Sequence, residues 1–334
     1  MPELEIGFDV SPLSQTVAGV HRYITSLLAA LEATGEVAIH RYALPGRGRM
    51  TSVARDVTWY LGALPRAAGR DSVSLLHCPT QRAPTRSRVP LLVTVHDVAT
   101  LRLPGAFNAW TRIYTRMLLP RVVRGADRII AVSEFTASEL RSVLGVGYAK
   151  IVVVPNGVGP PFGADGDATA GDYVLTVATA EPRKNLQRLA DAVHSLGPHG
   201  PELRLVGAQG WGHVRLDERV RQLGVVTDEE LARLYRGARC FAYVPLYEGF
   251  GLPALEAMAS GTPVVASDIP ALREVAGRAA VFVDPLSTED IARGLREAEE
   301  RREELIAAGR DRATAFSWQQ TAAATLEVYR AMLA

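Results

Sequence analysis

CFAYVPLYEGFGLPALEAMASGTPVVAS, residues 240–267, reads as a strand, a tight turn, a helix and a second strand. CFAYVP is apolar and aromatic, as a buried strand requires. LYEGFG breaks the run with Gly249 and Gly251. PALEAMAS opens on Pro253, which suits a first helical turn, and stops at Gly261, which suits a helix end. TPVVA returns to strand. Two strands joined through a helix run parallel, so the stretch is one crossover unit of a parallel sheet.

Working outward, the same alternation fills the chain. LEIGF, EVAIHRY, SLLHC, LLVTV, RIIAV and KIVVV alternate with amphipathic helical segments, and after GPPFGADGDATAGD the pattern restarts with YVLTV, ELRLV, LGVV, RCFAYV, TPVVA and AAVFV. Two such series predict two doubly wound, Rossmann-like α/β domains, over residues 1–160 and 161–316. The Gly/Pro/Ala/Asp-rich segment 157–171 is expected to be the linker. FSWQQTAAATLEVYRAMLA closes the chain as a helix over 317–334, with Ser317 as N-cap and Trp318, Ala322, Leu326 and Tyr329 on one face. It is expected to pack back toward the first domain. In open α/β sheets ligands sit beyond the carboxyl ends of the strands, so a site is expected in the cleft where two such sheets face.

Composition narrows the function. The 334 residues carry a formal charge of +1, which supplies no global field toward nucleic acid or an anionic surface. Cys78 and Cys240 are isolated, which argues against a disulfide framework, a zinc site or a dithiol centre. The most apolar strand stretch, VPLLVTVHDV, is too short to span a membrane and contains His96 and Asp97. The N-terminus has no signal-peptide pattern, and a cytoplasmic location is expected. Of 37 basic residues only Lys150 and Lys184 are lysines, and asparagine occurs only at positions 108, 156 and 185. Both rare types meet in Arg183-Lys184-Asn185.

Several strand ends carry candidate chemistry. Glu248 precedes the helix, and backbone N–H groups near Phe250, Gly251 and Leu252 point toward whatever lies at its N-terminus, where an anion is favoured. Glu256, about one turn in, leans toward the same end. Both carboxylates are expected to face one ligand, in the geometry a vicinal diol requires. EPRKN follows the strand YVLTV. There Asn185 serves as N-cap of the next helix, and Arg183 and Lys184 beside its start can hold a diphosphate. A solvated basic turn would also account for them. His96 ends LLVTV, Gly19 opens a helix to close backbone approach, and Ser133-Glu134 follows RIIAV as either an N-cap or a site element. Asp165-Gly-Asp167 matches a metal-binding pattern but lies in the Gly/Ala segment, where a solvated turn accounts for it. GAQGWG does not fit a dinucleotide fingerprint. The arginines of AWTRIYTRMLLPRVVRGADR read as an exposed face, with weak peripheral membrane association as the alternative.

These motifs together resemble the retaining glycosyltransferases of family 4, which have the GT-B fold and a two-glutamate motif with this spacing. GVHRY, TVHDVATLRLP, AVSEFTASEL, VVPNGV, EPRKN, DEELARLYRGA, YEGFGLPALEAMASGTPVVAS and the closing FSW carry the likeness over most of the chain. It is greatest to the bacterial mannosyltransferases that extend mannose polymers. One departure stands at Val244-Pro245, where that branch has proline then serine. The resemblance implies that Glu248 binds donor-sugar hydroxyls, Glu256 the ribose, His96 the sugar 6-hydroxyl, and Arg183 and Lys184 the departing diphosphate, with Gly19 also facing the donor. It implies transfer of a hexose, foremost mannose from GDP-mannose, to a hydroxyl of an oligosaccharide or glycoconjugate. No metal ion or cofactor is expected to be required, since cations and helix ends neutralise the leaving group. The alternatives are another donor such as a UDP-hexose, a sugar-nucleotide epimerase of the same fold, which would convert donor without an acceptor, and a non-catalytic sugar-nucleotide sensor.

Overall fold

The computed structural model describes residues 4–14, 19–44, 55–210 and 220–334, except for the side chains of residues 55 and 56. Trp211 and Gly212 of GAQGWG lie outside the described residues. The chain divides into two compact units, residues 1–157 with 318–334, and residues 158–317.

The first unit contains a six-stranded parallel sheet in the order β2-β1-β3-β4-β5-β6. Its strands are Leu4–Asp9 (β1), Val37–Tyr42 (β2), Leu75–Cys78 (β3), Leu91–Val95 (β4), Arg128–Ala131 (β5) and Ile151–Val153 (β6). β3 and β4 are buried along their whole length, as strands covered on both faces must be. Helix Trp318–Leu333 belongs to this unit and packs on helix Gly19–Ala33, with Trp318, Ala322, Leu326 and Tyr329 all buried. Thr321 ties it to the Pro155 carbonyl at 2.9 Å. Inside the unit a buried polar chain runs from Tyr329 to His77 Nδ1 (2.7 Å), from His77 Nε2 to Thr94 (2.9 Å), and on to Tyr23 (3.1 Å). Burial holds His77 down at about 3, so its ring is neutral and each nitrogen has a hydroxyl partner.

The second unit has the order β12-β11-β10-β7-β8-β9, all parallel. Its strands are Tyr173–Val177 (β7), Glu202–Val206 (β8), Val220–Gly224 (β9), Cys240–Tyr243 (β10), Val264–Ser267 (β11) and Ala280–Val283 (β12). Helices Leu186–His194 and Thr288–Glu300 cover one face, burying Leu189, Val193, Ile291 and Leu295 against Val174, Ala242 and Val265. The winding runs outward from β7 to β9, then crosses back so that β10 pairs with β7. The topological switch point therefore lies between β7 and β10.

One expectation about this unit needs correction. LGVV is not the strand: β9 begins three residues earlier, pairs Val220 with Leu203, and ends at Gly224, whose φ of 70° turns the backbone out of the sheet before Val225. Segment 158–171 follows the boundary between the units and is held down on the second unit. Phe162 packs edge-on against Tyr235, Arg236 holds the carbonyls of Gly163 and Asp167, and Thr169 donates to the Arg233 carbonyl. Apolar and backbone groups within a Gly-rich stretch give it a surface to bury. Asp165 and Asp167 are exposed there.

Candidate active site

The two loops that leave β7 and β10 at the switch point are bonded to each other. Leu246 N–H donates to the Arg183 carbonyl (2.8 Å), and Asn185 Nδ2 donates to the carbonyls of Val244 (3.0 Å) and Pro285 (2.7 Å). Asn185 stands at the N-cap position of helix Leu186–His194, but its side chain does not cap it. Its φ of 58° is left-handed, which asparagine tolerates better than other residues with a Cβ, and that conformation aims the amide across at the β10 loop. Asn185 is thus the staple between the loops rather than a helix cap.

The staple brings together Arg183, Lys184 and Glu248. Lys184 Nζ lies 2.7 Å from Glu248 Oε2 and 2.8 Å from the Tyr243 hydroxyl, and that hydroxyl is itself 2.7 Å from the same Oε2. Arg183 Nη1 reaches Glu248 Oε2 at 3.4 Å, and its Nε lies 2.8 Å from Glu181 Oε1. The Lys184 and Glu248 side chains are 10% and 16% exposed, so the charges interact in a medium far less polarisable than water. Burial opposes the Glu248 carboxylate, but Lys184 and Arg183 outweigh it and hold the acid at about 2. Burial and the neighbouring Arg183 push Lys184 below the ordinary lysine range. Both groups are pushed down, which favours the charged form of Glu248 and disfavours that of Lys184: two cations outweigh burial at the carboxylate, whereas burial and Arg183 outweigh Glu248 at the ammonium. Tyr243 is held well above the usual phenol range by burial and by Glu248, so it keeps its proton.

Glu248 commits only Oε2 to these partners. Among the described residues no donor reaches its Oε1, and Lys184, with three protons, has two acceptors. Next to them begins helix Leu252–Ala259, whose N-cap Gly251 has a φ of 104° and offers no side-chain cap. A Cβ at Gly251 would press on the terminal methyl of buried Leu272, so the left-handed backbone requires glycine and the packing favours it. Among the described residues the N–H groups of Phe250, Gly251 and Leu252 make no hydrogen bond. A carboxylate oxygen, an ammonium proton and open helix-start amides form a set suited to a ligand with hydroxyls on one side and an anion on the other.

Glu256 is placed differently from its sequence expectation. It has no exposed surface, and its Oε2 accepts from the buried Tyr235 hydroxyl at 3.2 Å. The helix does carry it, but helix Asp228–Gly237 closes over that face. The two glutamates therefore do not share one open surface in this structure. In the first unit His96 stands just past β4, where Nε2 donates to the Pro79 carbonyl at 2.9 Å and the ring meets Tyr23 edge-on. Asp97 accepts from Ala99 N–H and shapes the turn. Gly19 is the exposed first residue of its helix, and Ser133 caps helix Glu134–Leu144 by accepting from Thr136 N–H. Tyr243 escaped the sequence reading because a tyrosine closing a buried strand looks like core. Its distance of five residues from Glu248, at the strand's carboxyl end, was the available signal.

Residues 17–160 match the family model described as Glycosyltransferase Family 4, and residues 166–312 match Glycosyl transferases group 1. The chain is 32% identical over 267 residues to O-antigen chain mannosyltransferase B of Escherichia coli, covering 72% of this chain and 70% of that protein. The chain belongs to glycosyltransferase family 4. A second relative, the MMP alpha-(1->4)-mannosyltransferase of Mycolicibacterium hassiacum, is 32% identical over 73% of this chain and 66% of its own length. Among solved structures, sucrose-phosphate synthase from Thermosynechococcus elongatus superposes with a TM-score of 0.81 at 20% identity, covering 98% of this chain and 99% of that one. WaaG, a glycosyltransferase of lipopolysaccharide biosynthesis, gives 0.75 at 13% identity, covering 97% and 99%. At these identities the likeness establishes the GT-B fold of the family 4 chain and nothing finer.

Proposed function

We propose that this glycosyltransferase moves a mannosyl unit from GDP-mannose to a hydroxyl of an oligosaccharide or glycoconjugate, with retention at the anomeric carbon, without a metal ion, and in the cytoplasm. The observation that carries the reading is the Glu248–Lys184–Arg183 cluster beside an uncapped helix start. The relatives named as mannosyltransferases favour the sugar. In the reaction the bond between the anomeric carbon and the diphosphate oxygen breaks, and the electron pair leaves with the nucleoside diphosphate. The acceptor oxygen bonds to the same face of the anomeric carbon, and its proton passes to the departing phosphate oxygen. Lys184, Arg183 and the amides of Phe250–Leu252 offset the developing charge, and Glu248 Oε1 takes the sugar hydroxyls. His96 and Gly19 are assigned to the donor as well. Glu256 joins them at the ribose only if its carboxylate leaves or shares the Tyr235 hydroxyl, so nucleotide recognition is assigned first to the open amides.

The test is a donor panel of GDP-mannose, UDP-glucose and other sugar nucleotides with saccharide acceptors, in EDTA, with product anomers assigned by NMR. Transfer of mannose with an α linkage supports the reading. Transfer only from a UDP-hexose would replace the donor, metal-dependent transfer would return Asp165 and Asp167 to consideration, and a new sugar nucleotide formed without acceptor would favour an epimerase.

Weak peripheral membrane association is part of the proposal. Residues 98–126 contain five arginines and no acidic residue, and helix Ala109–Met117 exposes Ile113 and Met117 beside Arg112 and Arg116. Such a face complements an anionic bilayer. Co-sedimentation with phosphatidylglycerol vesicles but not phosphatidylcholine vesicles is expected, and loss of the difference in Arg112→Glu/Arg116→Glu would assign it to this face.

A further inference from the structure

Three atoms of the site close a triangle: Lys184 Nζ, Glu248 Oε2 and the Tyr243 hydroxyl, with sides of 2.7, 2.7 and 2.8 Å. A phenol has one proton to give. Lys184 can only donate and an ionised Glu248 can only accept, so Tyr243 donates to Glu248 and accepts from Lys184. This bookkeeping leaves Glu248 Oε1 and one Lys184 proton uncommitted. Without the phenol, the ammonium and the carboxylate would be free to pair through both oxygens. That pairing would consume the carboxylate oxygen assigned to the sugar while still leaving one ammonium proton for the diphosphate.

We infer that Tyr243 is a positioning residue for glycosyl transfer, holding Lys184 and Glu248 against one shared oxygen so that the other oxygen and the remaining ammonium proton face the donor. The inference rests on the proposed function. Its rigidity comes from burial: Tyr243 is 3% exposed, stacks with Phe241 at 5.9 Å between ring centroids, and ends β10 between its neighbours β7 and β11. The charged groups around it are Glu248, Lys184, Arg183 and Glu181, and burial together with Glu248 keeps the phenol protonated as the scheme requires. No covalent step passes through Tyr243; it acts through the two residues that it aligns.

Tyr243→Phe keeps the ring and removes the hydroxyl. Its kcat with the working donor is expected to fall at least tenfold, while its affinity for GDP, measured by calorimetry on the full chain, stays within threefold of the unmodified chain. Lys184 and Arg183 still meet the diphosphate, but Glu248 is no longer aligned to the sugar. Glu248→Gln measured alongside separates the two levels of the argument. If Glu248→Gln is impaired and Tyr243→Phe has unmodified kcat, the positioning role is overturned and the proposed function stands. If Glu248→Gln transfers sugar normally, both are overturned. Equal losses of kcat and GDP affinity in Tyr243→Phe would mean general damage to the site and would also overturn the inference.

Discussion

Lys184→Arg is the substitution that most directly tests the site, because it keeps the charge and changes only its shape. Thirty-five of the 37 basic residues are arginine, so a lysine at this position is a departure from the chain's habit. The geometry supplies a reason. The ammonium is a compact group in a slot 10% exposed, making bonds of 2.7 and 2.8 Å at an angle set by Glu248 and Tyr243, with the Arg183 guanidinium alongside. A planar fork is wider and directs its protons in fixed directions, so it can keep one of those bonds but crowds Arg183 if it keeps both. Losing one charge-assisted bond costs about 1.5–3 kcal/mol. Even the lower figure is about tenfold in kcat/KM. The assay is kcat/KM for glycosyl transfer with donor limiting and saturating, and thermal unfolding checks that the fold is intact. Lys150 is the control, since its Nζ donates to the Arg124 carbonyl at the surface of the first unit, and its arginine variant should match the unmodified chain. If Lys184→Arg is equally silent at both donor concentrations, the argument from shape is refuted.

Glu248→Gln should lower turnover far more than affinity for bare GDP, and parallel losses would reject a role confined to the transferring sugar. Its pH dependence gives a second check. Glu248 falls from 4.5 unfolded to about 2 folded, so its stabilisation is fully present above pH 4.5 and is lost as pH falls toward 2. The shift corresponds to about 3 kcal/mol, offset in part by the strain on Lys184. Acid unfolding of Glu248→Gln should therefore lack a component between pH 4.5 and 2 that the unmodified chain shows, and identical acid profiles would contradict the pairing. Gly251→Ala should destabilise by about 1–3 kcal/mol, from the left-handed backbone and the approach to Leu272, and a neutral result in urea unfolding would mean that the helix start rearranges freely. Glu256→Ala removes the buried carboxylate that accepts from the Tyr235 hydroxyl, so unfolding free energy should drop by about 1–3 kcal/mol even without ligand. No drop would mean that Tyr235 finds another partner.

The order of strands and helices was legible because it depends on neighbours within a few residues. Short β-branched or apolar runs locate eleven of the twelve strands among the described residues, and β9 slipped, where an edge strand lacks the apolar run that marks the buried ones. Glu248, Arg183 and Lys184 were legible as strand-end residues with chemistry in their side chains. Which of them touch was not. That depends on β7 and β10 being neighbours at the switch point although more than sixty residues separate them, and on one left-handed asparagine that bonds their loops together. Depth is also a tertiary property. Glu248 and Glu256 are the same residue type on either side of the turn at Gly251, yet one is held by two cations at the strand end and the other is sealed beneath Tyr235 by a helix that precedes it in the chain. Spacing along a sequence specifies which side of a helix a carboxylate occupies; only the packing of the remaining elements decides whether water, a ligand or a phenol meets it there.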